Sequence, residues 1–394
     1  MNHTIDKQKK YIPFCAPTIE EEEIFEVTDT LRSGWLTTGK KVLQFEEMFR
    51  TRLNARHAIS VNSATSGWHL VAHALGIGPG DEVIIPAITW PSIANVVELL
   101  GARSVFADVD PDSLQILPSE VERLLSSRTK AVIPVHFAGA PFDIDAIRKI
   151  LHGKSVYLIE DAAHAAGTFY KGKEIGSGSN IAIFSFHPIK NITTGEGGMI
   201  ICEDDQLAEK LKLMRFHGIS KDAWNRYAKG GSPEFEVVAP GYKFNMMDLQ
   251  AALGISQLPK LDRFNDRRTQ LATCYNELLS GIPQVTPLFN HGYEHVHAWH
   301  LYVVKLDMTG LSIDRNAFIN ALGEENIGAG LHFPAVHLMQ YYREKYAYTA
   351  EDLPNASKAG NSILSLPLYP GMSEEDVHDV VEAVQKVIIK YTRN

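Results

Sequence analysis

A chain of 394 residues, 45% hydrophobic and 22% charged, can bury a sizeable core and is long enough for two domains. Its formal net charge of -9 argues against non-specific nucleic-acid binding, while local charge leaves an anionic substrate open. Cys15, Cys202 and Cys274 are too scattered for a disulfide scaffold or a C-x-x-C metal site, which points to a reducing compartment. With no run of 18 apolar residues and no apolar stretch after the basic N-terminus, we expect a cytoplasmic chain without stable membrane insertion.

In chain order, a short N-terminal arm is expected over 1–17, with Thr18 capping a Glu-rich helix that starts near Ile19. Ala58 to Val61 reads as a strand, and Asn62 to Gly67 turns into a helix through Leu75. Strands follow at Glu82 to Pro86, Ser104 to Val109, Ala131 to Val135 and Val156 to Asp161, with helices between them. Short apolar strands alternating with helices predict an α/β fold whose mostly parallel central sheet is covered on both faces. A helix over Met247 to Leu261 marks the expected division near residue 260, between a large domain over 18–260 and a smaller C-terminal α+β domain over 261–394. There, His300 to Leu306 reads as a strand and Asp314 to Leu322 as a helix. A last amphipathic helix starts at Ser373, with Val377, Val380, Val381, Val384 and Val387 at helical spacing.

Two residues carry most of the chemistry. Lys190 follows the apolar run Phe184 to Phe186 and stands before the polar, glycine-rich turn Thr193 to Gly198. Asp161 closes its own strand 29 positions earlier, at the carboxyl end where open α/β sheets place ligands. A lysine able to form a Schiff base and an aspartate able to pair with a pyridine nitrogen are the minimum kit for pyridoxal phosphate chemistry. The ordinary alternatives are a solvated lysine beyond a strand and an aspartate capping the next helix. Glu160 points to the opposite face if the strand continues.

Ser63 to Gly67 follows a strand and opens a helix, so its amides and hydroxyls suit a phosphate as well as an ordinary cap. Ser185 can reach the same phosphate. Trp90, at another strand end, can stack on a ring or fill the core. His164 can pack against a cofactor or sit as a satisfied histidine. The spacings of His136, His187, His332 and His337 reproduce no known metal motif, so no metal site is expected.

The segments Ser33 to Gly39, Asn62 to Gly67, Ile159 to His164, Ser185 to Gly198 and Pro240 to Asn245 resemble the DegT/StrS family of pyridoxal-phosphate-dependent sugar aminotransferases. The resemblance covers nearly the whole chain. It implies the fold-type I architecture, with Lys190 as the Schiff-base lysine and Asp161 as partner of the pyridine nitrogen. It further implies that Ala64, Thr65 and Ser185 hold the phosphate and that Trp90 stacks over the ring. His164 is expected beside the cofactor. It also implies a homodimer with shared active sites, in which Asn245 reaches the partner's phosphate region. Trp35, His187, Arg215, His217, Lys243 and His332 are the expected substrate contacts.

Within the family, His136 to Pro141, Arg215 to Gly218, His295 to Leu301 and Gly330 to Phe333 are similar to members that form UDP-4-amino-4-deoxy-L-arabinose for lipid A modification and lipopolysaccharide biosynthesis. That implies transfer from L-glutamate to C4 of a UDP-4-keto-pentose, releasing 2-oxoglutarate. Two departures stand against it: Pro188 replaces an alanine, and Pro334 replaces an arginine, which changes local charge and hydrogen bonding. His332 to Leu338 instead resembles transaminases of UDP-4-keto-6-deoxy-N-acetylhexosamines. A pyridoxal-phosphate-dependent ketosugar dehydratase is a further reading, but dehydrating relatives carry histidine where this chain has Lys190. A regulatory protein that binds the cofactor without catalysis is the last.

Overall fold

The computed structural model describes residues 10–179, 181–219, 236–288 and 292–393. Ten short strands come first in the chain: β1 His57–Val61, β2 Glu82–Pro86, β3 Arg103–Ala107, β4 Thr129–Val132, β5 Tyr157–Leu158, β6 Glu160–Asp161, β7 Phe169–Tyr170, β8 Lys173–Glu174, β9 Ile181–Ser185 and β10 Gly198–Cys202. They form the ladders β3-β2-β4-β5 and β1-β10-β9-β6, with β7 and β8 in a small sheet apart. The two ladders join where Val135 bridges Asp161, and where the Ile159 and Asp161 amides donate to the Val132 and Pro134 carbonyls. The strand expected over Val156 to Asp161 therefore exists as two pieces, because its pairing passes from β4 to β9 at Ile159. Only β10 runs antiparallel to its neighbours; every other pair in the two ladders is parallel.

Alternation along the strands builds two cores from one sheet. Val83 and Ile85 of β2 face one apolar cluster with the helices Ala64–Ala74 and Ser92–Leu99. Ile84 faces the other, with Lys40–Arg52 and Ile144–Leu151. All three side chains are fully buried, each contributing about 1.5–3 kcal/mol of apolar transfer.

Past the 3-10 turn Leu258–Lys260, the helix Leu261–Leu279 leads to a third apolar cluster. Its sheet has the order β11-β13-β14, where β11 is Val285–Pro287, β12 (His295–Val296) pairs with β7, β13 is Tyr302–Leu306 and β14 is Ile363–Leu366. The final helix Glu374–Tyr391 buries its five valines there, and its Ser373 cap accepts from the Asp376 amide. Ile12 is fully buried in the same cluster and pairs with Ile327, so this part of the N-terminal segment is docked.

Several expected boundaries move, and two of the shifts have a clear local cause. The first helix begins at Glu21 instead of near Ile19, because the Glu20 amide donates to the Glu23 carboxylate and sets the cap there. Strand β13 begins at Tyr302 instead of His300, because Trp299 takes a left-handed φ of 46° and keeps His300 in a loop.

Candidate active site

Strand β9 ends at Ser185, and the chain then folds back on itself. The Phe186 amide donates to Gly197 O, the Thr194 amide and Thr193 Oγ1 donate to Phe186 O, and the Gly195 amide donates to Thr193 Oγ1. Gly195 takes a φ of 78°, which glycine adopts without strain. This stapled turn carries Lys190, half-buried, over the carboxyl ends of the strands. Asn191 fixes the turn from below by donating to Asn265 Oδ1 and Ala298 O, each at 2.7 Å.

Asp161 ends β6 and is buried. Its Oδ1 accepts from the Ala163 amide at 2.9 Å. No helix starts after it, so this contact closes a turn and the helix-cap reading fails. Burial pushes the Asp161 carboxyl up to about 6, against the opposing pull of the Ala163 amide and Lys190. Burial pushes the Lys190 amine down to about 8, against the attraction of Asp161 and Cys15.

A cavity of about 250 Å³ opens between these two groups. Of the residues expected from sequence, Ala64, Thr65, Trp90, Asp161, His164, Ser185, His187, Lys190 and His332 line it. Ala64 and Thr65 begin the helix Ala64–Ala74, while Ser63 is its cap, accepting from the Ser66 amide at 3.1 Å. The helix start can approach β10 closely because residue 198 is glycine; a Cβ there would lie 2.7 Å from the Ala64 nitrogen. His164 stacks on Phe333, with ring centroids 5.1 Å apart, and its Nδ1 accepts from the Ala138 amide. Trp90 stands at the mouth, its ring 6.4 Å from that of Phe333.

The remaining five lie elsewhere. Among the described residues, Trp35, Arg215, His217, Lys243 and Asn245 do not line the Lys190 cavity of their own chain. Trp35 Nε1 donates to Thr38 O, Asn245 Nδ2 to Thr38 Oγ1, and Lys243 Nζ to Asn245 Oδ1. The His217 amide donates to Tyr242 O in the same region. The Arg215 guanidinium is engaged within its own chain, buried against Glu46 at 2.5 Å and donating to Ser60 O at 2.8 Å.

Several lining or neighbouring groups carry no signal in the sequence. Phe333 and Glu196 line the cavity, and His300 Nε2 lies 3.4 Å from Lys190 Nζ. His300 comes from a loop 110 positions away, and no local spacing signals that approach.

The cavity offers a helix start for a phosphate, a buried carboxylate for a ring nitrogen, an aromatic mouth and an amine of lowered basicity. That set fits pyridoxal phosphate. Residues 17–385 match the profile of the DegT/DnrJ/EryC1/StrS aminotransferase family.

The chain belongs to this family. It is 46% identical over 385 residues to the spore coat polysaccharide biosynthesis protein SpsC of Bacillus subtilis, covering 98% of this chain and 99% of that one. Among solved structures it is similar to the putative sugar aminotransferase Spr1654 from Streptococcus pneumoniae, in PMP and PLP forms. The PMP form gives a TM-score of 0.89 at 30% identity, covering 97% and 98% of the two chains. It is also similar to Helicobacter pylori PseC, an aminotransferase involved in the biosynthesis of pseudoaminic acid, with a TM-score of 0.88 at 28% identity over 97% and 100%. The protein is thus a pyridoxal-phosphate-dependent sugar aminotransferase of fold type I. No described helix is long and apolar enough to cross a membrane.

Proposed function

We propose that this aminotransferase moves the amino group of L-glutamate to C4 of a UDP-linked 4-ketosugar, with Lys190 as the reacting amine. The observation that carries the assignment is a half-buried lysine of lowered basicity across a shared cavity from a buried carboxylate. The bound cofactor supplies the electron sink that loosens the proton on the carbon bearing the amine. Lys190, as the free amine, takes that proton and later returns it on the sugar side. The Asp161 carboxylate holds the proton of the ring nitrogen. The amides of Ala64 and Thr65 and the Ser185 hydroxyl bind the phosphate, and Trp90 and His164 orient the ring. His187 and His332 contact the sugar.

We further propose a homodimer whose second chain completes each site. Trp35, His217, Lys243 and Asn245, gathered away from their own Lys190, would then face the partner's cavity.

Two sugars remain in contention. The pentose reading rests on the Trp299 and His332 segments. The N-acetylhexosamine reading is supported by Pro334, and by relatives whose names place them in spore coat polysaccharide and pseudoaminic acid synthesis. Pro334 stands where the pentose members carry an arginine, so we favour the hexosamine as acceptor. The test is competition between both purified UDP-4-ketosugars with glutamate, read by product mass. A predominant amino-hexosamine supports this reading, and a predominant amino-pentose restores the first one. In parallel, Lys190→Ala should abolish turnover of either sugar.

A further inference from the structure

Among the described residues, His300 is the side chain within hydrogen-bond reach of the Lys190 amine: its Nε2 stands 3.4 Å from Nζ. The imidazole is buried, and its Nδ1 has no hydrogen-bond partner among the described residues. Buried N–H groups without an acceptor are rarer than under-satisfied acceptors. That asymmetry puts the bare lone pair on Nδ1 and the hydrogen on Nε2. The hydrogen then points at the lysine nitrogen, which can accept it only as a neutral amine.

The loop that delivers His300 is held from three sides. Trp299 is kept at a φ of 46°, a strained conformation that persists only where the surroundings impose it. Gly139 permits the approach from one side, since a Cβ there would lie 2.9 Å from the Trp299 and His300 nitrogens. Arg268 donates from one guanidinium nitrogen to the carbonyls of Trp299, His300 and Leu368. Asn191, next to Lys190, donates to Ala298 O at 2.7 Å and so ties the lysine turn to the histidine loop.

We propose that His300 is a positioning residue for Lys190: its Nε2–H donates to the lysine nitrogen and holds the free amine in the neutral form that accepts a proton. This rests on Lys190 being the reacting amine. Once Lys190 has taken the substrate proton, Nε2–H faces an ammonium hydrogen and the contact lapses. The ammonium is then free to hand the same proton back to carbon. Asp161 and Cys15 also face Lys190 and favour its charged form. His164 and His332 line the cavity, His187 lies on the lysine's own turn, and Arg268 stands behind His300. Burial keeps His300 itself neutral, well below the usual imidazole range.

The test uses the cofactor-free protein, so that it reads the lysine and not turnover. Lys190 is acetylated in short pulses across a pH series, and the labelled peptide is quantified by mass spectrometry. In His300→Leu the midpoint should rise by about one unit, the loss of one hydrogen bond to the neutral form. His300→Gln, whose amide can donate from nearly the same place, should keep the wild-type midpoint. In turnover assays the leucine variant should lose kcat at least about tenfold with KM little changed. A midpoint in His300→Leu that stays or falls would overturn the proposal. Should that variant not fold, His300→Asn, too short to reach Nζ, is read by the same criterion. Turnover that survives in Lys190→Ala sinks the assignment of the reacting amine instead, which the acetylation midpoints do not measure.

Discussion

Glu160 and Asp161 are neighbours on one strand and serve opposite faces of the sheet. Asp161 opens into the cavity with Lys190, while Glu160 lies behind it, bonded to His136 Nε2 at 3.2 Å and near Arg148 at 3.5 Å. The His136 amide donates to Asp161 O, so the polar knot behind the sheet holds the strand that presents Asp161 to the cavity.

Glu160→Ala should therefore act first on stability. It leaves buried His136 without its partner and opens a hole under β6. A loss of about 3 kcal/mol is expected by urea denaturation, since breaking a buried polar pair costs that order. A loss below about 0.5 kcal/mol would show that the knot holds nothing.

Asp161→Asn should separate activity from stability. The carboxyl is raised from its ordinary value to about 6 by burial, so between about pH 4 and 6 the folded state binds more protons than the unfolded one. Stability from this group falls as pH rises through that window. The cofactor-free asparagine variant should be more stable than wild type at pH 7, by about 1–3 kcal/mol, and lose that advantage below pH 4. Turnover should drop at least about a hundredfold. Equal melting of both proteins at pH 7 would count against a strained carboxylate.

The Lys190 amine is lowered to about 8, so its neutral fraction grows as pH rises through that value. Capture of pyridoxal phosphate by the cofactor-free protein, followed by absorbance in a stopped-flow instrument, should accelerate from pH 7 to 9 and level off. A rise that continues to pH 10.5 would mean an ordinary lysine.

Arg215→Ala should destabilise the fold by about 1–3 kcal/mol, because it removes the charged partner of Glu46 and leaves that carboxylate, among the described residues, only the Ser60 amide and hydroxyl. The KM for the sugar should change less than twofold at a temperature where the variant is folded. A selective rise in sugar KM would return Arg215 to the substrate site.

The residues read correctly as neighbours share a pattern. Asp161, Ser185 and Lys190 each stand at or just beyond a strand end, and parallel strands of one sheet must finish on one side. Alternation placed Glu160 behind the sheet for the same reason. His300 was out of reach because its approach depends on a left-handed residue and a glycine contact across the fold. The burial of Arg215 was not legible because a lone arginine in sequence reads as exposed, whereas Glu46, 169 positions away, supplies its partner. Trp35, Lys243 and Asn245 were quoted on the strength of the resembling segments alone, and within one chain they bond to Thr38 and to each other away from Lys190.

Lys190 is the residue expected to form the bond to the cofactor. Borohydride reduction of the pyridoxal-phosphate-loaded enzyme, followed by peptide mass spectrometry, tests this directly. The phosphopyridoxyl mass is expected on the peptide containing Lys190, at close to one label per chain. A label on any other lysine, with Lys190 unmodified, would contradict it.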